Sequence, residues 1–185
     1  MLLHRPARRH RAAVAELAGR LALRLGLEPD EAESIRVAGS LHDLGELVVP
    51  EEILRKPARL TESERHAIER HSQIGSRMLE LLGMRSIPRW VLHHHERWDG
   101  TGYPDRLKGE DIPLLARIVA CADTFDACTS TRPYQKAMPL EKAMEILDNL
   151  SGAQLDPKVV LALRQVLAKQ GVRLEGHRLP VKLAS

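Results

Sequence analysis

Cysteine is scarce in this chain of 185 residues, which contains only Cys121 and Cys128. If both lie on one helix, their spacing in the sequence places them roughly 10 Å apart, too far for a disulfide. In that case no disulfide joins them, and the simplest expectation is a reduced, cytoplasmic protein.

Long apolar runs are missing as well. No stretch approaches the ~20 apolar residues of a membrane-spanning helix, so no membrane partner is expected. The start of the sequence, MLLHRPARRH, has no apolar run followed by a small-residue cleavage site, which argues against a secretory signal. No internal repeat, low-complexity segment or linker divides the chain, so residues 1–185 are expected to form one domain.

The alternating pattern of β-strands is almost absent, whereas apolar residues recur at helical spacing. The predicted helices cover residues 7–25, 31–44, 61–82, 86–95, 113–130, 139–150 and a last segment from 157 onward. A capping box at Thr61 and Glu64, and Asp156 followed by Pro157, mark two of the helix starts. The predicted fold class is all-α, a bundle of about seven helices, with a small hairpin expected in the tail, residues 171–185.

The chain is slightly basic, with a net charge of +3 and a pI near 9.1. This balance weakly favours anionic partners such as phosphates. The basic residues are densest at the start of the chain: Arg5, Arg8, Arg9 and Arg11. A solvated helix start is the more common explanation of such a cluster, and steering of a phosphate is the alternative.

Histidines occupy the apolar faces of several predicted helices. A lone histidine there, such as His42 or His71, is usually a core residue with its hydrogen bonds satisfied. Here the pattern repeats on separate helices and is joined by Asp43 and Asp123, although a buried carboxylate costs several kcal/mol unless it is compensated. A metal centre is therefore favoured over independent core histidines. Imidazoles and carboxylates without thiolates suit iron, manganese, nickel or zinc.

The order of the ligand-type residues indicates how many ions the centre would hold. His42 and Asp43 are adjacent, so on a helix they point about 100° apart, and Asp43 could bridge two ions. Two metals ~3.5–4 Å apart are the standard arrangement for in-line attack on a phosphate. The triplet 93–95 is either an exposed polar helix end or a source of ligands. His94 and His95 can reach one ion only if the helix ends there, and the following ERWDG indicates that it does.

Four ordered motifs resemble a known family: SLHDLGELVVPEEILRKPARLTESE, HSQIGSRML, VLHHHERWDGTGYPDRLKGEDIP and ARIVACADTFDACTSTRPYQKAM. They are similar to the HD-GYP family, a subgroup of the HD metal-dependent phosphohydrolases known as bacterial cyclic di-GMP phosphodiesterases. The match runs from about His10 to Leu163. The resemblance implies an HD-domain helical bundle, two divalent ions, and hydrolysis of cyclic di-GMP to pGpG and/or GMP. Iron or manganese would be the usual metals, with zinc and nickel as alternatives.

The resemblance also assigns individual residues. The implied ligands of one ion are His10, His42, Asp43 and Asp123. The implied ligands of the second ion are Asp43, His71, His94 and His95. The implied substrate-binding residues are Gly102, Tyr103, Arg132 and Lys136. The chemistry agrees, because glycine lets the backbone approach a phosphate closely and the guanidinium of Arg132 offers a fork of matching donors.

Three positions depart from the family pattern. Glu46 replaces a lysine that would contact the scissile phosphate. Its carboxylate would repel the phosphate, bind a metal itself or turn to solvent, so its catalytic role stays open. Pro6 stands where members with a third metal have a glutamate, so two metals are expected. Gln135 replaces a basic residue and weakens one expected substrate contact.

The departure at Glu46 leaves alternatives to a phosphodiesterase. One is a weakened or inactive signalling module that binds cyclic di-GMP or a diguanylate cyclase, and another is a phosphohydrolase acting on a different nucleotide. Regulation is expected from another chain, such as a separate sensor or receiver protein, from control of expression, or from a region not present in this sequence. A homodimer is compatible with the sequence, and DNA is not an expected partner.

Overall fold

Helices account for all the regular structure in the described part of the chain. The computed structural model describes residues 5–131 and 136–169. The α-helices in these ranges are α1 (Arg5–Arg24), α2 (Pro29–Leu41), α3 (Glu51–Leu54), α4 (Glu62–Glu69), α5 (His71–Leu81), α6 (Ile87–Leu92), α7 (Leu114–Thr129), α8 (Leu140–Leu150) and α9 (Pro157–Ala168). Two short 3-10 helices, Leu44–Val48 and Gly109–Asp111, precede α3 and α7. The predicted all-α class is confirmed.

The predicted capping signals start helices as expected. The hydroxyl of Thr61 accepts a hydrogen bond from the Glu64 amide at 3.2 Å, and the Thr61 amide donates to the Glu64 carboxylate at 2.7 Å. At α9, the carboxylate of Asp156 accepts from the Lys158 amide at 2.7 Å. Each cap satisfies amides that have no partner within the helix and contributes about 1 kcal/mol.

Two helix boundaries differ from the prediction. The segment predicted as one helix over 61–82 is divided into α4 and α5 at Arg70, whose ψ of −14° departs from α-helical geometry. The helix predicted over 31–44 ends at Leu41, because Asp43 has φ −94° and ψ 15° and begins a 3-10 helix. The four-residue α3 was not predicted, since so short a segment carries no periodic signal.

The core lies between α1, α2, α7, α8 and α9. It includes side chains with no solvent exposure from each of these helices: Leu21, Ile35, Ile118, Leu147 and Leu163. Burial of each large apolar side chain contributes about 1.5–3 kcal/mol. This core fixes α1 and α7 against each other, and both helices carry predicted metal ligands.

A close backbone contact sets the position of the segment that follows α2. A Cβ added at Gly45 would overlap the carbonyl oxygen of His71 and lie 2.7 Å from the amide nitrogen of Gly75. Only glycine permits this approach. The first 3-10 helix therefore packs directly on the start of α5, which brings Asp43 next to His71.

The remaining predictions about chain organisation are only partly covered by the structure. Cys121 and Cys128 both lie on α7, buried and not joined in a disulfide, and burial raises the pKa of Cys121 to about 12. Among the described helices, none has the length and apolar character needed to cross a membrane. The hairpin predicted for residues 171–185 lies outside the described residues.

Candidate metal centre

The seven predicted metal ligands converge at one place from five parts of the chain. These residues are His10 on α1, His42 and Asp43 after α2, His71 at the start of α5, His94 and His95 after α6, and Asp123 on α7. The expectation that the helix ends at the histidine triplet is confirmed, because α6 stops at Leu92. That ending lets two adjacent imidazoles face the same point.

One group of ligand atoms surrounds a first candidate ion position. The Nε2 atom of His42 lies 3.0 Å from Oδ2 of Asp43 and 4.0 Å from Oδ1 of Asp123. The Nε2 atom of His10 lies 3.7 Å from the same Asp43 oxygen and 3.4 Å from the same Asp123 oxygen. Donors this close can all lie about 2 Å from one metal ion after small adjustments.

A second group uses the other oxygen of Asp43. Atoms of Asp43, His71, His94 and His95 that could ligate a metal all lie within 4.8 Å of one another. The Nε2 atom of His71 is 3.8 Å from Oδ1 of Asp43 and 3.4 Å from Nε2 of His94. Asp43 therefore faces both groups, one through each carboxylate oxygen, as a bridging ligand would.

Backbone hydrogen bonds direct three of the histidines. The Nδ1 atoms of His42, His71 and His94 donate to the carbonyl oxygens of the residues three positions earlier, at 2.8, 2.6 and 2.6 Å. Each donation directs Nε2 toward the other ligand atoms, which is the usual arrangement of metal-binding histidines. The Nε2 atom of His42 is buried and has no hydrogen-bond partner. A divalent cation fits this donor set.

Two imidazoles of the second group, those of His94 and His95, are held in the neutral form. Burial and the neighbouring His95 lower the pKa of His94 well below its usual value. Burial and the neighbouring His71 lower the pKa of His95 to about 3. Both rings are therefore uncharged near neutral pH, which is the form that binds a metal.

Charge is concentrated on Asp43 and His10. Burial opposes ionisation of Asp43, but His42 and His10 hold its pKa well below its usual value. Burial also opposes a charge on His10, but hydrogen bonds to Asp126 and Asp43 raise its pKa to about 9. A metal ion can bind His10 only after the ring loses this proton, so binding at this position is linked to pH.

Asp126 is a site residue that the sequence did not identify as functional. Its Oδ2 atom accepts a hydrogen bond from Nδ1 of His10 at 2.5 Å, and its Oδ1 atom accepts from the Ser130 hydroxyl at 2.7 Å. The only sequence signal that could have identified Asp126 is its position one helical turn after Asp123. Its carboxylate orients His10 toward the other ligands.

The predicted substrate loop packs on the histidine triplet. The ring of Tyr103 stacks on His95, with ring centroids 4.9 Å apart. A Cβ at Gly102 would lie 2.6 Å from the His95 carbonyl oxygen, so glycine is required at that contact. Burial raises the pKa of Tyr103, which keeps the phenol protonated. Lys136 is exposed and Arg132 lies outside the described residues, so their substrate contacts stay predictions.

Glu46 lies one turn beyond Asp43 on the 3-10 helix. Residues three apart eclipse one another in this type of helix, and the Glu46 amide donates to the Asp43 carbonyl at 2.9 Å. Its side chain is half-buried and therefore not turned fully to solvent. Burial and the negative charge of Asp43 raise the pKa of Glu46 to about 7. Two of the three predicted alternatives therefore stay open: repulsion of phosphate and binding of a metal.

Known proteins resemble this chain in sequence and in fold. The chain is 44% identical over 153 residues to the cyclic di-GMP phosphodiesterase response regulator RpfG of Xanthomonas campestris pv. campestris, over 81% of this chain and 40% of that protein. It is 43% identical over 152 residues to the 3'3'-cGAMP-specific phosphodiesterase 1 of Vibrio cholerae, over 81% of this chain and 35% of that protein. The chain thus spans less than half the length of these relatives.

A solved structure and a family model extend this likeness. An HDG"Y"P protein from Bdellovibrio bacteriovorus has the same fold, with a TM-score of 0.71 at 20% identity over 88% of this chain and 52% of that one. The family model described as HD domain matches residues 2–159. That match includes every predicted metal ligand and the core helices α1, α2, α7 and α8, and the chain belongs to the HD domain family.

Proposed function

We propose that the chain is a metal-dependent phosphodiesterase unit that hydrolyses cyclic di-GMP to pGpG and/or GMP. The observation that carries this proposal is the position of Asp43, whose two carboxylate oxygens face two separate groups of histidines. The name of the Xanthomonas relative supports cyclic di-GMP as the substrate.

The proposed centre holds two divalent ions, iron or manganese, with zinc and nickel as alternatives. His10, His42 and Asp123 would hold one ion, and His71, His94 and His95 would hold the other. Asp43 would be a ligand of both. Two such ions activate water at neutral pH and neutralise the charge that develops on a phosphate during in-line displacement. Because the buried histidines are pre-oriented by backbone carbonyls, little side-chain freedom is lost when the ions bind.

The loop around Tyr103 supplies the substrate contacts in this proposal. Gly102 allows the backbone to lie against the histidine triplet, and stacking on His95 places the Tyr103 phenol beside the centre. The protonated phenol can donate a hydrogen bond to a phosphate oxygen. Arg132 and Lys136 are proposed to bind the phosphate and guanine regions.

The test is an anaerobic incubation with cyclic di-GMP after loading with iron or manganese. Products are separated by chromatography, and bound metal is measured in the same sample. Metal-dependent formation of pGpG or GMP is expected. Intact cyclic di-GMP, in protein shown to contain two metals per chain, would overturn the proposed activity. A parallel incubation with 3'3'-cGAMP decides between the two substrates for which relatives are named.

Glu46 favours a second candidate, a module that binds cyclic di-GMP, or docks on a diguanylate cyclase or a sensor protein, without efficient hydrolysis. A half-buried carboxylate beside Asp43 would repel an incoming phosphate in its ionised form. If this repulsion limits the rate, Glu46→Lys should raise the rate of hydrolysis at least tenfold. Lowering the activation barrier by about 1.4 kcal/mol is enough for a tenfold change. Unchanged hydrolysis with both metals retained would instead favour the binding module.

A further inference from the structure

A third group of ligand-type residues lies beside the metal centre and takes no part in it. Atoms of His93, Glu96 and Asp105 that could ligate a metal lie within 4.8 Å of one another. The Nε2 atom of His93 is 2.9 Å from Oδ2 of Asp105. His93 is the first residue of the histidine triplet, and the proposed centre uses only the other two.

The orientation of His93 matches that of the proposed metal ligands. Its Nδ1 atom donates to the backbone carbonyl of Arg89 at 2.8 Å, as His42, His71 and His94 donate to carbonyls one turn earlier. The ring therefore turns Nε2 toward the carboxylate of Asp105, as the ring of His42 turns its Nε2 toward Asp43.

Glu96 gives an independent indication of a cation. The residue is only 4% exposed. Its Oε1 atom accepts a hydrogen bond from the Asp105 amide at 2.7 Å, and the Leu107 amide also faces the carboxylate. The Oε2 atom is buried and accepts no hydrogen bond of normal geometry. A buried carboxylate oxygen without a partner is costly, and a metal ion would satisfy it.

We propose that His93, Glu96 and Asp105 bind a further divalent cation, separate from the dinuclear centre. One imidazole and two carboxylates suit Zn²⁺, Mn²⁺ or Fe²⁺. The side chain of Asp105 is 55% exposed, which leaves an open side for water ligands and a path by which the ion can enter.

The position of this site gives it a structural role. Asp105 directly follows Tyr103 and Pro104, and His93 directly precedes His94. An ion held between Asp105 and His93 therefore ties the substrate loop to the turn that carries two ligands of the proposed centre. It fixes how far Tyr103 lies from His95 without touching the substrate.

The test uses the full chain, dialysed to equilibrium against Zn²⁺, with bound zinc per chain measured by elemental analysis. The wild type is expected to hold one more Zn²⁺ than Asp105→Asn. His93→Gln should show the same loss. Asp111→Asn, which changes an exposed carboxylate a few residues further along, is the matched control and should bind as much zinc as the wild type.

Two results would overturn the site. Equal zinc in the wild type, Asp105→Asn and His93→Gln would mean that His93 and Asp105 form an ion pair only. An equal loss in Asp111→Asn would mean that the zinc binds nonspecifically to surface carboxylates. Asp43→Asn separates this site from the proposed function, because it should lose zinc from the dinuclear centre and keep the zinc that Asp105→Asn loses.

Discussion

The carboxylate of Asp126 holds the ring of His10 by a hydrogen bond of 2.5 Å from Nδ1 to Oδ2. This contact joins α1 to α7 and turns the Nε2 atom of His10 toward Asp43 and Asp123. Asp126 is only 7% exposed, so the contact is shielded from water. His10 is therefore oriented by a neighbouring carboxylate, whereas the other oriented histidines are held by backbone carbonyls.

We expect Asp126→Asn to weaken metal binding about 10- to 100-fold, as is typical when a carboxylate that orients a ligating histidine is lost. The neutral amide can still accept the hydrogen bond, so the fold should persist. Metal affinity is measured by titration of the metal-free chain. Asp111→Asn should bind metal as the wild type does. Wild-type affinity in Asp126→Asn would show that His10 needs no orientation or is not a ligand.

A pair of histidines on α4 and α5 tests the ligand assignment. His71 is 1% exposed and lies against Asp43, whereas the side chain of His66 is 74% exposed. We expect His71→Ala to lose at least one bound metal per chain and to lose hydrolysis with it. His66→Ala should retain both its bound metal and its hydrolytic activity. The readouts are elemental analysis and the cyclic di-GMP assay, and equal metal content in the two variants would refute the assignment of His71.

The close approach at Gly45 gives a prediction about stability. Gly45→Ala places a methyl group against the backbone of α5, and we expect a loss of about 1–3 kcal/mol, typical of overpacking. It should also reduce metal affinity, since Asp43 and His71 move apart. Gly83→Ala is the control, because its positive φ of 80° costs about 1 kcal/mol but nothing lies within 4 Å. Denaturant unfolding and metal titration measure the two effects.

The raised pKa of Glu46 predicts how stability changes with pH. Burial and the charge of Asp43 raise its pKa from 4.5 to about 7 in the folded chain. Below pH 4.5 the carboxyl is protonated in both the folded and unfolded states and contributes no pH dependence. Between 4.5 and about 7 the unfolded state releases the proton first, so folding stability falls as pH rises through this window.

Glu46→Gln removes the free-energy cost of ionising this half-buried carboxyl. In chelator-treated protein, it should exceed the wild type in unfolding free energy by about 2–3 kcal/mol at pH 8, and the difference should shrink toward zero on acidification below pH 5. Denaturant unfolding at several pH values measures it. A difference that does not depend on pH would show that the pKa of Glu46 is not raised by burial and the charge of Asp43.

The helical fold could be predicted well from sequence because its signals are local. Thr61 and Asp156 start helices through contacts with residues two or three positions away. The break at Arg70 could not be predicted in this way. Both flanking segments have helical periodicity, and the change at Arg70 is a modest shift in one backbone angle.

The candidate site could be predicted where residue type and the order of the motifs along the chain indicated it. Every proposed ligand was expected, and the structure brings these residues together. Asp126 was missed because its partner His10 lies 116 residues away in the sequence. The group of His93, Glu96 and Asp105 was missed because its contacts depend on how the chain turns after the Gly-Tyr-Pro motif, which periodicity does not describe.

His10 and Asp123 belong to the first and seventh α-helices, yet their side chains lie 3.4 Å apart. No disulfide joins the two cysteines, so a metal ion at this point would be a cross-link that the chain itself does not have. It would close a loop of more than a hundred residues, and such closures remove much of the freedom of the unfolded chain. The resistance of this protein to unfolding would then depend on the concentration of free metal around it.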